Sequence, residues 1–278
     1  MKPTKHVLTF LTLGAATLSW HGVQAQTAAP AASDTAAETA APADPENAEA
    51  RKIMMDMANF LSKTQKFSFK VIGGFDVVQK NGQKIEFGEI RTIDVQRPNQ
   101  LRAEVEQSDG DLASAYFDGK HITAYNETQN LYAQAAVEGS LDATLAYFMR
   151  DLKMRMPLAA IVANKSPEAL AKRVKSVDYV EDTELFGTPT AHLAGRTETV
   201  DFEIWIDKGA KPLPRRLVLT YRHAEGAPQY RAQFSEWNLA PKFKADHFTF
   251  TVPKDASKIA FLNQVKPAAD AKKSGGAP

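Results

Sequence analysis

KFSFKVIGGFDVVQKNGQKIEF, residues 66–87, alternates apolar and polar side chains with a period of two. Phe67, Phe69 and Val71 therefore share one side of a strand. Gly73-Gly74 predicts a bulge or bend, and Asn81-Gly82 a two-residue hairpin turn. The stretch reads as an antiparallel hairpin with one apolar face, and the pattern recurs downstream. Gly88–Gln96 and Leu101–Gln107 form a second strand pair through Arg97-Pro98-Asn99. ASAYFDGKHITAYN, residues 113–126, forms a third about Asp118-Gly119, and NLYAQA adds a short strand.

On either side of these hairpins the period changes. Pro45 to Thr64 reads as a helix, with Ile53, Met54, Met57, Phe60 and Leu61 at spacings of three and four. From Ser140 to Met156, Leu141, Leu145, Phe148, Met149 and Leu152 predict a second apolar helix that Pro157 stops. Ser166-Pro167 predicts an N-cap followed by proline in the first helical turn. From Val174 to Thr251 the chain returns to strands separated by turn clusters. Helix, strands, helices, strands predicts an α+β fold with one large antiparallel sheet, built largely as a meander.

The ends set the compartment. Lys2 and Lys5 precede an apolar run from Val7 to Trp20, and Val23-Gln24-Ala25 is a small-residue exit. That is a secretory signal peptide over 1–25, with cleavage expected after Ala25. The apolar run of about 14 residues falls short of the roughly 20 needed to span a bilayer. Residues 26–47 read as a disordered Ala/Pro/Thr-rich tether and 265–278 as a disordered tail, leaving one domain over 48–264. The chain has no cysteine, which excludes a lipidated N-terminal cysteine and leaves stability to an ordinary core. Its net charge of +1 becomes −1 without Lys2 and Lys5, which argues against nucleic acid as a partner.

Catalytic signals are sparse. In VDFEIWIDKGAKPLPRRLVLTY, residues 200–221, Asp201, Glu203, Trp205 and Asp207 share a face with Arg216, Val218, Thr220 and Arg222. Asp201 and Glu203 could serve a carboxylate-dependent hydrolase, since residues two apart on a strand lie about 7 Å apart. An exposed face of cross-strand ion pairs is the better reading. His121, His192, His223 and His247 have no helical zinc spacing, and neither a Gly-x-Ser-x-Gly elbow nor a phosphate-cradling loop is present. No metal or cofactor is expected. Asn126 and Asn164 head inexpensive matches to the glycosylation sequon.

The apolar side of the sheet and the central helical stretch are more informative. Phe69, Val71, Phe202, Ile204, Leu217, Leu219 and Tyr221 are the candidate sheet lining of a hydrophobic cavity. Phe148, Met149, Leu152 and Ile161 are the candidate lid, and methionines suit irregular apolar ligands.

FDGKHITAYNETQNLYA (117–133), MPL (156–158), HL (192–193), DFEIWID…PLPRRLVLTY (201–221), APQYRAQFSEWNLAP (227–241) and FTFTVP (248–253) follow one order. Over about residues 48–262 this order resembles an uncharacterised family of predicted periplasmic proteins, a domain of unknown function. Phe202 departs from it, where that family often has a second tryptophan. The family is similar in fold to the LolA-like periplasmic lipoprotein carriers. The resemblance implies a strongly curved antiparallel half-barrel with helices covering its concave face. It further implies a monomeric, non-enzymatic carrier for lipids, acyl chains or lipidated proteins, with an envelope membrane protein as donor or acceptor. A cell-envelope interaction or stress-sensing module is the alternative. The carriers hold their closed lid with an arginine, and the sequence assigns that role to none here.

Overall fold

The computed structural model describes residues 45–151 and 155–261. The expected signal peptide, nearly all of the tether, the tail and Leu152 lie outside the described residues. The first helix, α1, spans Pro45–Lys63 and so takes up the last three residues assigned to the tether. Its buried stripe is Ala50, Met54, Met57, Ala58 and Leu61. These positions recur at the helical period, and Ile53 and Phe60 flank them.

Twelve strands form one sheet. The first six are β1 (Lys66–Val78), β2 (Lys84–Gln96), β3 (Gln100–Gln107), β4 (Leu112–Phe117), β5 (His121–Asn126) and β6 (Leu131–Ala136). The next five are β7 (Ser176–Leu185), β8 (Thr188–Arg196), β9 (Val200–Asp207), β10 (Pro214–Tyr221) and β11 (Gln229–Asn238). β12 (Ser257–Ile259) completes the sheet, whose order is β12-β6-β5-β4-β3-β2-β1-β11-β10-β9-β8-β7. The chain starts in the middle, walks to one edge, crosses to the other and walks back until β11 pairs with β1. The expected meander is thus two meanders joined at a seam. All neighbours are antiparallel except β12, which adds to β6 in parallel.

The crossover from β6 to β7 carries the remaining helices. These are α2 (Leu141–Ala146), a π-helical turn over Tyr147–Asp151, α3 (Ala159–Val162) and α4 (Ser166–Arg173). The continuous helix expected over Ser140–Met156 is therefore interrupted. Ser140 caps α2 through its side chain, accepting from the Ala143 N–H. Ser166 is not a cap: it lies inside α4 and its hydroxyl donates to the Ala160 carbonyl at 2.5 Å. The strands expected up to Thr251 end at Asn238. After that the chain crosses the outer face as a strap. There Phe248 is buried, and Phe250 sits 5.4–5.5 Å from the rings of Tyr116, Tyr125 and Tyr132.

Two details of the opening hairpin differ from expectation. Residues 79–83 separate the two strands; the Gln79 N–H still bonds the Gln83 carbonyl, which leaves a three-residue turn, Lys80-Asn81-Gly82, that Gly82 at φ 84° closes through its N–H to the Gln79 carbonyl. A two-residue turn of that kind would require positive φ at Asn81 as well, a strain the three-residue form avoids. Gly73-Gly74 carries no bulge, because β1 and β2 stay in register from Lys66↔Gln96 to Val78↔Lys84. The bulge lies on β11, where Glu236 (φ 52°) and Trp237 together oppose Phe69. That extra residue turns Trp237 inward, where its ring stacks on Phe69 at 4.5 Å.

On the inner face, α1 packs against β7 and β9 and against α3 and α4. Phe67, Phe69, Phe117, Ile122, Leu193, Ile206 and Phe234 are almost fully buried between sheet and helices. The outer face is polar and ion-paired. At the seam, Arg231 donates to Asp76 at 2.9 Å, and the other Asp76 oxygen accepts the Gln229 N–H at 2.9 Å.

Burial disfavours the Asp76 charge, but Arg231 and the Gln229 N–H more than offset it and hold the carboxyl below its usual 3.8. A depressed folded-state pKa stabilises above the unfolded value and is lost as the pH falls through the folded one. Urea denaturation should therefore show stability declining below about pH 4. Asp76→Asn should be less stable at neutral pH and lose part of that decline.

Candidate functional site

The sequence-predicted apolar residues that are among the described residues fall into one cluster. Phe69, Val71, Ile204, Leu217, Phe148 and Ile161 are buried in it, and Phe202, Leu219, Tyr221 and Met149 pack against it, partly exposed. Phe202 lies over Gly195 of the neighbouring strand, at a place where a Cβ would collide with its ring. Val71 pairs with Phe234, Leu217 with Ile204 and Leu219 with Phe202. The alternation read from sequence therefore survives as a continuous apolar face across the seam.

The helical crossover lies over this face. Leu141, Leu145, Phe148, Leu158, Ile161 and Val162 turn into the cluster, with Met149 and Met156 at its margin. The π turn widens the helix and shortens its regular hydrogen-bonded run, making the cover a series of short pieces. Isolated helices this short do not hold themselves; packing and end contacts do.

Those end contacts converge on the β2–β3 turn, and sequence reasoning missed the residue that makes them. Arg97 is buried. Its Nη2 donates to the Leu61 carbonyl at 3.1 Å and its Nε to the Thr64 carbonyl at 3.2 Å, both at the C-terminal end of α1. Nη1 donates to the Val162 carbonyl at 2.9 Å and to Asn164 Oδ1 at 2.5 Å, just past α3. Its guanidinium also lies 5.4 Å from the Phe67 ring centroid. The adjacent Pro98 carbonyl accepts from the Leu141 N–H at 3.0 Å and from Asn164 Nδ2 at 2.8 Å. One turn of the sheet thus fastens the end of α1, the start of α2 and the end of α3.

The chemistry suits a cation. The last carbonyls of a helix lack intrahelical partners and carry the negative end of its dipole. Burial pushes Arg97 down to about 10, with Asp142 opposing the shift, so the guanidinium stays charged at neutral pH. Arg97-Pro98 read locally as a loop, and its partners lie more than 30 residues away on both sides. Nothing short-range in the sequence signals them.

The hydrolase candidates fall elsewhere. Asp201 and Glu203 lie on the outer face beside a shallow depression of ≈ 420 Å³. Asp201 pairs with Arg196 at 2.7 Å and Arg222 at 3.0 Å. Arg196, chiefly, holds its carboxyl below the usual range. Glu203 binds His192, whose ring stacks on Trp205 at 4.0 Å. A carboxylate fixed in its charged form by two arginines is an ion-pair partner, not a proton donor. The sequon asparagines are also occupied: Asn126 Oδ1 accepts the Gln129 N–H, and Asn164 serves Arg97 and Pro98.

A family model described as predicted periplasmic protein (DUF2092) matches residues 50–262, and the chain belongs to that family. No curated protein matches significantly. Among solved structures, the chain is similar to lipoprotein LppX of Mycobacterium tuberculosis, at 13% identity and TM-score 0.45, covering 70% of this chain and 98% of that one. It is similar to an uncharacterized conserved protein from Thermus thermophilus, at 13% identity and TM-score 0.44, covering 76% and 99%. It is also similar to a LolA superfamily protein from Nitrosomonas europaea, at 8% identity and TM-score 0.36, covering 72% and 97%.

Arg97→Met should orphan buried carbonyls on two helices and cost on the order of 3 kcal/mol in urea denaturation. It should also raise binding of a hydrophobic dye under native conditions. Arg97→Lys should restore little, because one ammonium cannot span the fork.

Proposed function

We propose that this protein is a non-enzymatic periplasmic binding or carrier protein. It holds lipids, acyl chains or lipidated proteins between the inner face of its sheet and the helical cover. The observation that carries this reading is the Arg97 clasp. A cover with an apolar underside is fastened at one corner by hydrogen bonds between the β2–β3 turn and Val162, Asn164 and Leu141, while its buried side chains meet the sheet by apolar packing. Such a cover lifts without breaking strand pairing.

In this reading the sheet curls as a half-barrel. Phe69, Val71, Phe202, Ile204, Leu217, Leu219 and Tyr221 line the cavity, and Phe148, Met149 and Ile161 line the lid. Each methylene of an acyl chain that enters gains about 0.8 kcal/mol. The methionines at the margin reseal around chains of different length. Removal of residues 1–25 releases a soluble monomer into the periplasm, in keeping with the family's description. An envelope membrane protein supplies or receives the cargo.

One observation favours a second reading, an envelope interaction or stress-sensing module. Phe67, Phe69, Phe234 and Met54 fill the space between sheet and α1, so an interior of side chains could be the whole design.

Native mass spectrometry of the mature protein from its own periplasm separates the two. The carrier reading expects a co-purifying lipid or acylated peptide near one per chain. Met149→Lys should abolish that occupancy in a protein that still folds. An empty protein that resists loading with fatty acids and phospholipids would favour the interaction module.

A further inference from the structure

The β7–β8 hairpin turns on two residues, Phe186 and Gly187, with φ of 51° and 75°. Positive φ at both places is the type I′ geometry, whose first position suits asparagine, aspartate or glycine. A phenylalanine there is a backbone outlier, because its Cβ crowds the following carbonyl. Packing does not offset the strain. Phe186 is 80% exposed, more than any other large apolar side chain among the described residues. Strain and exposure both cost the folded chain stability, and nothing inside the molecule recovers either. Such an outlier points to something outside it.

The surroundings indicate its chemistry. Antiparallel pairing brings the β7–β8 turn, the β9–β10 loop, the end of β11 and the start of β1 to one end of the sheet. Lys208 ties the loop to the hairpin: its N–H donates to the Pro189 carbonyl at 3.1 Å and its Nζ pairs with Asp182 at 2.5 Å. Asp207 is taken up by Arg215 at 2.6 Å. Lys211 in the loop, and Lys63 and Lys66 where α1 passes into β1, are exposed without a carboxylate partner among the described residues. Glu184 is the exposed acid beside the turn. In the order β7-β8-β9-β10-β11-β1 the hairpin and β1 lie about 24 Å apart along the sheet, so the lysines form a spaced fringe.

A protein interface of ordinary size needs an apolar core of several side chains within about 800 Å² per partner. Here one ring stands alone above separated lysines. A bilayer surface has the matching chemistry: aromatic rings settle at headgroup level, and each ammonium meets anionic lipid. We infer that this end of the sheet docks reversibly on an anionic lipid bilayer, with Phe186 inserted among the headgroups. The inference goes beyond the carrier reading and does not depend on what fills the inner face. The β2–β3 turn leaves the sheet at the same end, so docking sets the Arg97 clasp on the membrane side.

Flotation of the mature protein with phosphatidylethanolamine–phosphatidylglycerol vesicles tests it, against vesicles of phosphatidylcholine alone. Binding should be on the order of tenfold stronger on the anionic vesicles and should weaken at high salt, where the lysines are screened. Phe186→Asn should weaken it on the order of tenfold while raising Tm, because asparagine suits the turn and the exposed ring is gone. Lys211→Glu should also weaken binding, with Tm unchanged. A protein that floats with neither vesicle overturns the membrane assignment and leaves a pocket in a partner protein as the seat for Phe186. Binding that survives Phe186→Asn undiminished overturns the role of the ring. Loading with the neutral apolar probe N-phenyl-1-naphthylamine reports on the carrier reading separately, and Phe186→Asn should leave it unchanged.

Discussion

β1 and β11 come from opposite ends of the folded chain, yet Val71 pairs with Phe234 and Phe75 with Tyr230. Because they pair, two meanders become one sheet with a single apolar face, and everything else must accommodate that face. The bulge at Glu236 turns Trp237 onto Phe69 on the inner side, while Asp76 and Arg231 close the outer side. A sheet this wide cannot leave one face apolar in water. The connection from β6 must in any case cross to β7 at the far edge, and the same segment supplies the cover. Topology is thus met, and the burial shared with α1, by one stretch of chain, residues 137–175.

What was legible in the sequence follows from the range of the physics involved. Periodicity is local, so α1, the first hairpins and the inward faces of β1, β9 and β10 were readable from spacing alone. Turn chemistry is local too, and Asp118-Gly119 turns as expected. The interrupted helix was not readable, because Leu141, Leu145 and Phe148 keep helical spacing whether or not the backbone widens by a residue. Gly73-Gly74 suggested a bulge, whereas these glycines serve close approach: a Cβ on Gly73 would meet the Arg231 carbonyl at 2.5 Å. The strap after Asn238 alternates in FTFTV like a strand but packs its aromatics on the outer face. Alternation alone does not distinguish the two.

The site divides the same way. Its apolar lining was visible because burial repeats every second residue. Its polar elements were not. Arg97 sits in an Arg-Pro-Asn turn, where a charged residue ordinarily meets solvent, and its carbonyl partners belong to helices on either side in sequence. Glu89 and Arg91 occupy inward positions of β2, yet two charges in a strand read naturally as outward-facing. Arg97 is long-range satisfaction of buried polar groups, which no local pattern encodes; Glu89 and Arg91 satisfy each other two residues apart, and what the sequence hides is only the face they occupy.

The central claim is that the cover moves while the seam does not. Native-state amide hydrogen exchange resolves this directly, because local opening and global unfolding differ in free energy. Amides of residues 141–151 and 159–163 should exchange through an opening well below the global unfolding free energy, with β1 and β11 exchanging only on global unfolding. Exchange of the cover and the seam together, at one common free energy, would contradict a lifting cover and leave the helices as part of a static core.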